Sequence, residues 1–415
     1  MGLPDTVRPQ PLDLAALAES LGQATVVAIG ENNHHIRQFS HLRAQLLRLL
    51  VTEFGFEVVA FESGFAEGQL LDAWVQGGPG EVGEVARDGL TFRIGEAPEV
   101  HGMLRLLRAH RAAGGSIRVA GLDVPGSGGS AEPALRRVRA HLVHHAPDAV
   151  AMVDAAIRAC RPYAAANNGL APTRYAGLSP AEQDAATAAL ARLVLRLDAL
   201  APGPDPDALP IARHHALGAL RLDEQLREIV AFAGPDRPAL VVSSRDVYQA
   251  ETVRLLRRLH GPDARIVLLL HNAHAQRVPM QLVPGVWART AGCHLADELG
   301  TDYLAVGVTA LAGETAEARL DERARQGFEL LSRRLGPPAE DSVERAIAES
   351  GAVDGPVQLD LRSARGTAGP SSMCHVADHV PVDVAAALDL LVCLPQMHPG
   401  SIARRPGPRD TDQPG

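Results

Sequence analysis

Two short clusters of titratable side chains stand out in the chain. One is Glu31-x-x-His34, inside "VVAIGENNHH"; the other is His271-x-x-His274, in "HNAH". Each follows an apolar run of strand length. Glu62 in "AFESGF", Asp123 in "GLDVPG" and the Arg245–Asp246 pair in "SSRDV" occupy matching places after similar runs. Two glutamates, three nearby histidines and an arginine supply general acid and base groups and a donor for a developing oxyanion. A histidine beside a carboxylate is held in one tautomer and made more basic, as a base requires. No G-x-S-x-G pattern accompanies a strand end, and "SGGS" at 127–130 lacks it, so direct activation of water is favoured over an acyl-enzyme. All 40 basic residues are arginine, which excludes a Schiff-base or general-base lysine. The Glu-x-x-His and His-x-x-His pairs could instead hold zinc or manganese. Neither a His-Glu-x-x-His motif nor a Cys/His finger spacing supports this, so no cofactor is expected and a divalent metal is the alternative.

Taken singly, each of these residues has a plain structural reading. Asn33 could cap a helix, and Asp123 could close a turn before Pro125 and Gly126. The joint pattern carries the argument, because it repeats at the end of five runs: "ATVVAIG" (24–30), "FEVVAFES" (56–63), "SIRVAGLDV" (116–124), "PALVVSSRD" (238–246) and "RIVLLLHNAH" (265–274). A further run, "DYLAVGVTAL" (302–311), has the same character. The runs are continuously apolar rather than alternating, as strands buried on both faces of a parallel sheet are. Helical patterns such as "HLRAQLLRLLVTEFG" and "VYQAETVRLLRRLHG" separate them. The expected fold is therefore α/β, a mostly parallel central sheet flanked by helices, with ligands bound outside the carboxyl ends of the strands.

No comparable strand falls between 126 and 237, an Ala- and Arg-rich stretch with helical patterning. The expected organisation is a first part of the α/β core over 1–125, a helical insertion acting as a cap over 126–237 and a second part of the core over 238–400. A Pro/Gly-rich disordered tail is expected over 401–415. Tyr163 and Tyr175 in the insertion could line a cleft, and the pairs His144–His145 and His214–His215 read as solvated or cap-lining.

The bulk numbers exclude several classes. A net charge of −9 and 3% aromatic residues argue against a nucleic-acid surface, and no apolar stretch is long enough for a membrane span. Four scattered cysteines without a CxxC, and no secretory leader, fit a reduced cytoplasmic protein. The expected partner is a small molecule: a lactone, an ester or a polyketide- or peptide-derived metabolite.

The motifs "IGENNHHIRQF", "AFESGF", "GLDVPG", "SSRDVYQAET", "HNAHAQR", "HLADELGTDYLAVGVTALAG" and "ALDLLVCLP", in this order over roughly residues 24–395, resemble the erythromycin esterase family, which includes succinoglycan biosynthesis-like members. The resemblance implies an α/β core with an added helical part and hydrolysis of a macrolide lactone by activated water. On its motifs His34 corresponds to the general base, and Glu31, Glu62, His271 and His274 match the other catalytic positions. His35, Asn33, Arg245, Asp246 and Tyr248 are the candidate substrate-binding residues. The sequence departs from the family pattern at His35, where glycine is usual. It departs also at Gln38, where an acid is common, at Tyr248, where methionine is common, and at Asn32 and Asn33, where smaller residues are more usual.

Three functions follow in order. The first is an esterase or lactonase in which Glu31 orients His34, His34 takes a proton from water, and Arg245 or a histidine of the HNAH pair stabilises the oxyanion. The second is a biosynthetic enzyme using the same acid/base site for dehydration or cyclisation, motivated by His35 and Asn33. The third is a non-catalytic protein that sequesters a small molecule.

Overall fold

The computed structural model of the chain describes residues 2–234, 239–352 and 354–404. Eight strands form one sheet: β1 (Gln10–Pro11), β2 (Val26–Ile29), β3 (Val58–Gly64), β4 (Arg118–Asp123), β5 (Ile266–Leu269), β6 (Tyr303–Ala310), β7 (Val357–Asp360) and β8 (Leu390–Leu394). Their spatial order is β1-β7-β8-β6-β2-β5-β3-β4. The run from β8 to β4 is parallel throughout, and β7 pairs antiparallel with both β8 and β1 at one edge.

The continuous apolar runs are two interleaved faces, because successive side chains of a strand point to opposite sides. Val27, Ile29, Val59, Phe61, Val267 and Leu269 meet helices α1 (Arg37–Glu53) and α3 (Pro98–Ala112) in one buried cluster. Val26, Ala28, Val58, Ala60, Ile266 and Leu268 meet α8 (Ser244–His260) in the other. Helix α2 (Phe65–Val75) lies so close to β4 that a Cβ on Gly68 would stand 2.1 Å from the backbone nitrogen of Gly121.

After the edge strand β1 the chain enters the middle of the sheet with β2, runs outward through β3 and β4, and returns to place β5 on one side of β2 and β6 on the other. β2 is thus the point where the order reverses, and a crevice opens there at the carboxyl ends of the strands. Between β4 and β5 the long elements are helical: α4 (Glu132–His145), α5 (Val150–Cys160), α6 (Pro180–Asp198) and α7 (Ala208–Ala233). They share a core of their own, which reaches Phe65 of α2 and Tyr248 of α8.

Three expectations are corrected here. The run 238–246 is not a strand of the main sheet. Only Leu240–Val241 is extended, in a small separate sheet, and Ser243 turns left-handed (φ 56°) into α8. Arg245 and Asp246 therefore come from the first turn of a helix. Tyr163 and Tyr175 are fully buried with ring centroids 5.3 Å apart, and His214 and His215 are buried too, so none is a solvated or cleft-lining group. Residues 401–404 are not a loose tail, since Arg404 bridges Leu331 and its carbonyl accepts from the Ser332 N–H at 2.8 Å; 405–415 lie outside the described residues. No helix among the described residues is long and apolar enough to cross a membrane. All four cysteines are buried and free.

Candidate active site

The loop after β2 must bend sharply, and Gly30 makes room for it. A Cβ there would lie 2.2 Å from the Asn272 Oδ1 and 3.0 Å from the Val306 carbonyl oxygen. Asn272, the first residue of the short helix α9 (Asn272–Ala275), uses that space to tie three strand ends together. Its amide donates to the Val308 carbonyl (2.9 Å), its Oδ1 accepts from the Val308 N–H (3.1 Å), and its own N–H donates to the Glu31 carbonyl (2.8 Å). A Gly30→Ala substitution is expected to cost about 1–3 kcal/mol by overpacking this junction. A urea midpoint unchanged from the parent chain would contradict that.

Beyond this tie the strand ends deliver a compact charged network. The Glu31 carboxylate accepts from His34 Nδ1 at 2.9 Å and is paired with the Arg43 guanidinium, which reaches in from α1. His34 Nε2 lies 3.6 Å from Glu62 Oε1. The same oxygen takes Arg245 Nη2 at 2.8 Å and faces His274 Nε2 at 3.4 Å, while Glu62 Oε2 accepts the His271 backbone N–H at 2.6 Å. Arg245 is clamped by Asp123 through Nε at 3.0 Å to each carboxylate oxygen and through Nη2 at 2.5 Å. His274 Nδ1 is held by Asp246 at 2.7 Å. Four carboxylates and four cationic groups thus alternate in one buried network.

The charge states follow from these contacts. Burial pushes the Glu62 carboxyl up, but His274, His34 and Arg245 outweigh it and hold it well below the usual carboxylate range. Glu31 and Asp246 are lowered against burial in the same way, by Arg43 with His34 and by His274 respectively. Burial would strip the proton from His34, yet Glu62 and Glu31 raise it to about 10, and His274 is raised by Asp246 and Glu62. Burial and the neighbouring His34 cation push His35 down to about 3.

The candidate residues divide by placement. Glu31, His34, His35 and Glu62 line one small cavity of about 30 Å³, room for a water molecule or two. His35 enters it on a left-handed backbone (φ 66°), with Nδ1 buried and unpartnered. His271 stands beside His34, ring centroids 5.8 Å apart, but both its nitrogens are engaged by backbone: Nε2 with the Asn32 carbonyl (2.7 Å), Nδ1 with the Ala273 N–H (3.1 Å). With Nδ1 accepting and Nε2 donating, its tautomer is fixed and neither nitrogen is free to take a proton. Asp246 is buried behind His274 and also accepts the Ala291 N–H at 2.9 Å. Asn33 points away from the cavity and donates to Thr315 Oγ1 and the Ala316 carbonyl (2.7 and 2.6 Å). Tyr248 is not brought to the site. It lies in the helical core, stacked on His214 at 4.4 Å, with its hydroxyl donating to the His214 carbonyl.

Three residues join the site that the sequence reading did not select. Arg43 sits on the apolar stripe of α1 among Phe39, Leu42, Leu46 and Leu50, and a lone arginine in such a stripe is a readable signal of a buried partner. Phe92 stacks on His34 (5.9 Å) and lies under the Arg245 guanidinium (5.4 Å), at a turn with positive φ. His375 packs on His271 at 4.5 Å. Nothing marks the last two in a linear pattern. A divalent metal does not fit this donor set. Among the described residues no group of three or more ligating side chains is arranged to hold one, and guanidiniums already occupy the Glu31 and Glu62 carboxylates, where they would repel a dication.

The erythromycin esterase family profile matches residues 51–396. The loop carrying Glu31 and His34 precedes that span, so its place in the site rests on the geometry above. The chain is 30% identical to an Escherichia coli erythromycin esterase type II over 345 residues, 82% of this chain and 81% of the relative. It is 25% identical to an Escherichia coli erythromycin esterase type I over 409 residues, 94% and 98% of the two chains. Among solved structures, an erythromycin esterase mutant in its open conformation superposes with a TM-score of 0.81 at 22% identity, covering 96% of this chain and 99% of the other. A succinoglycan biosynthesis protein gives 0.72 at 18% identity, covering 95% and 96%; at these identities the two structures speak to the fold. On the profile and the type II relative, this chain belongs to the erythromycin esterase family of ester hydrolases.

Proposed function

We propose that the protein hydrolyses an ester or lactone, of the macrolide class that its relatives' names indicate, by attack of a water activated in the Glu31–His34–Glu62 unit. The observation that carries this reading is the position of His34 at a water-sized cavity, held by Glu31 at 2.9 Å and faced by Glu62 at 3.6 Å. Glu31 fixes the ring through Nδ1, which leaves Nε2 to take the proton of water. Arg245, paired with Glu62 and Asp123, supplies positive charge for the developing oxyanion. Asp246, Asp123 and Arg43 act as positioning residues, holding His274, Arg245 and Glu31 respectively. The dehydrating or cyclising alternative gains nothing from the two esterase relatives. Sequestration without turnover does not call for a network that balances four carboxylates against four cationic groups.

The test is the pH dependence of kcat/KM, which reports the free enzyme. His34, raised to about 10, is an imidazolium at neutral pH, and a base must be neutral. The rate is therefore expected to climb with pH through the neutral range and to level near pH 10. A profile flat above pH 6 would instead assign proton removal to Glu62, ionised throughout that range, and leave His34 as a fixed cation. The same shift touches stability: the contribution of His34 is complete below its ordinary value of 6.5 and is lost as pH rises through about 10. The alkaline points therefore need a parallel circular-dichroism record.

A further inference from the structure

A second cavity, larger than the one at His34, lies on the far side of a neighbouring hairpin. It measures about 260 Å³ and is walled by that hairpin, Ser372–Pro381, the segment 333–338 and Glu344 of α10 (Val343–Glu349). Adjacent hairpin residues face opposite ways. Cys374 lines this cavity, while His375 packs on His271 of the active site.

Glu344 is 1% exposed, and it plays no part in the chemistry described above. Its Oε1 accepts from the Thr309 hydroxyl at 2.5 Å and from the Cys374 N–H at 3.1 Å. Its Oε2 has no hydrogen-bond partner. The nearest candidate, His379 Nε2, stays 3.8 Å away, and the Ala339 N–H is directed at that same nitrogen at 3.4 Å. A buried carboxyl oxygen with no partner costs the fold unless something fills the space it faces.

The rim of the cavity decides what that something is. Arg333 and Arg334 line it together with Asp378. Arg333 pairs with Glu317 at 3.0 Å and faces Asp378 at 3.6 Å. Glu317, which does not line the cavity, and Asp378 at the rim together offset the two guanidiniums, so no large excess of one charge is left to select an ion. Hydrogen-bonding groups of both kinds stand close together: guanidinium donors at the mouth and, at the floor, a carboxyl that burial keeps closer to its neutral form. Adjacent hydroxyls, each donor and acceptor at once, satisfy such a set; a lone ammonium or carboxylate satisfies half of it and opposes the rest.

We propose that this cavity binds a neutral polyhydroxylated molecule or substituent, a sugar in chemical class, with Glu344 at its floor and Arg334 at its mouth. The site is separate from the ester chemistry and does not depend on it. The bound group touches the hairpin face opposite His375, so the His375 ring reports occupancy.

The experiment is a titration of the full-length protein with D-glucose, L-rhamnose, D-glucosamine and D-glucuronate, followed by calorimetry and by the histidine ring resonances. A neutral sugar is expected to bind, with the charged sugars at least about tenfold weaker, the cost of about one unmatched polar group. Glu344→Gln, which keeps the acceptor for Thr309 and Cys374, is expected to retain binding within about threefold, whereas Glu344→Leu and the rim variant Arg334→Ala lose about tenfold or more. Arg334 is exposed, so its variant keeps the test alive if Glu344→Leu fails to fold. The two sources of such a group separate kinetically. If it is a substituent of the substrate, Arg334→Ala raises KM for a glycosylated lactone and not for its aglycone. If it is a free ligand, KM is unchanged while direct sugar binding is lost. No neutral sugar bound at tens of millimolar, a preference for a charged sugar, or binding indifferent to both Glu344→Leu and Arg334→Ala would overturn the proposal. Because binding is read directly, these outcomes stay distinct from failure of the hydrolase reading.

Discussion

Replacing His34 with alanine is expected to lower kcat/KM for an ester or lactone by about a thousandfold, the scale of losing a positioned acid/base group. The fold should survive the change. Glu31 keeps Arg43, and Glu62 keeps Arg245 and the His271 N–H, so neither carboxylate is left buried and uncompensated. The space opened adjoins a cavity already large enough for water. A variant that keeps its melting temperature and loses turnover fits this account. A variant with parent-like turnover contradicts it, and one that unfolds would make His34 a structural group.

Glu62→Gln is the second large effect, and it carries a signature that simple damage lacks. Glu62 is the largest electrostatic influence raising His34, and it also contacts His274 and Arg245. The amide preserves the shape and one acceptor oxygen but removes the charge. The expected loss in kcat/KM is about a hundredfold or more, from weaker placement of Arg245 and a poorer base. At the same time the alkaline limb of the pH profile should move to lower pH, because His34 loses its main reason to hold a proton. A drop in rate with the limb unmoved would show that Glu62 does not govern His34.

Both expectations rest on residues whose position was partly readable from the chain. Continuous apolar runs marked β2, β3, β4 and β5, and the polar residues that close those runs, Glu31, Glu62, Asp123 and His271, do converge. Strand-end placement is legible because a buried parallel strand must end where its chain turns polar. Arg245 and Asp246 reach the same place by another route. The run before them looked like a strand, but Ser243 breaks it with a left-handed turn, and the pair enters from the start of α8. Tyr248 failed as a site residue because it too lies in that helix: two positions beyond Asp246, about 200° around the axis, its side chain faces the helical core instead. Arg43 could have been found by asking what neutralises Glu31 and noting an arginine on a helix's apolar stripe. Arg37, closer to Glu31 in sequence, stays exposed on that helix. Phe92 and His375 depend on turns far away in sequence, and local patterning holds no information about such contacts.

The central claim is that a water activated in the Glu31–His34–Glu62 unit cleaves an acyl–oxygen bond. Its most direct test is mass spectrometry of a panel of macrolactones and simple esters incubated with the protein in ¹⁸O-labelled water, with His34→Ala as control. The account expects a product heavier by one labelled water, with the label in the new carboxyl group, and no such product from the variant. A product lighter by one water, label found in the alcohol fragment, or equal product from His34→Ala would contradict it.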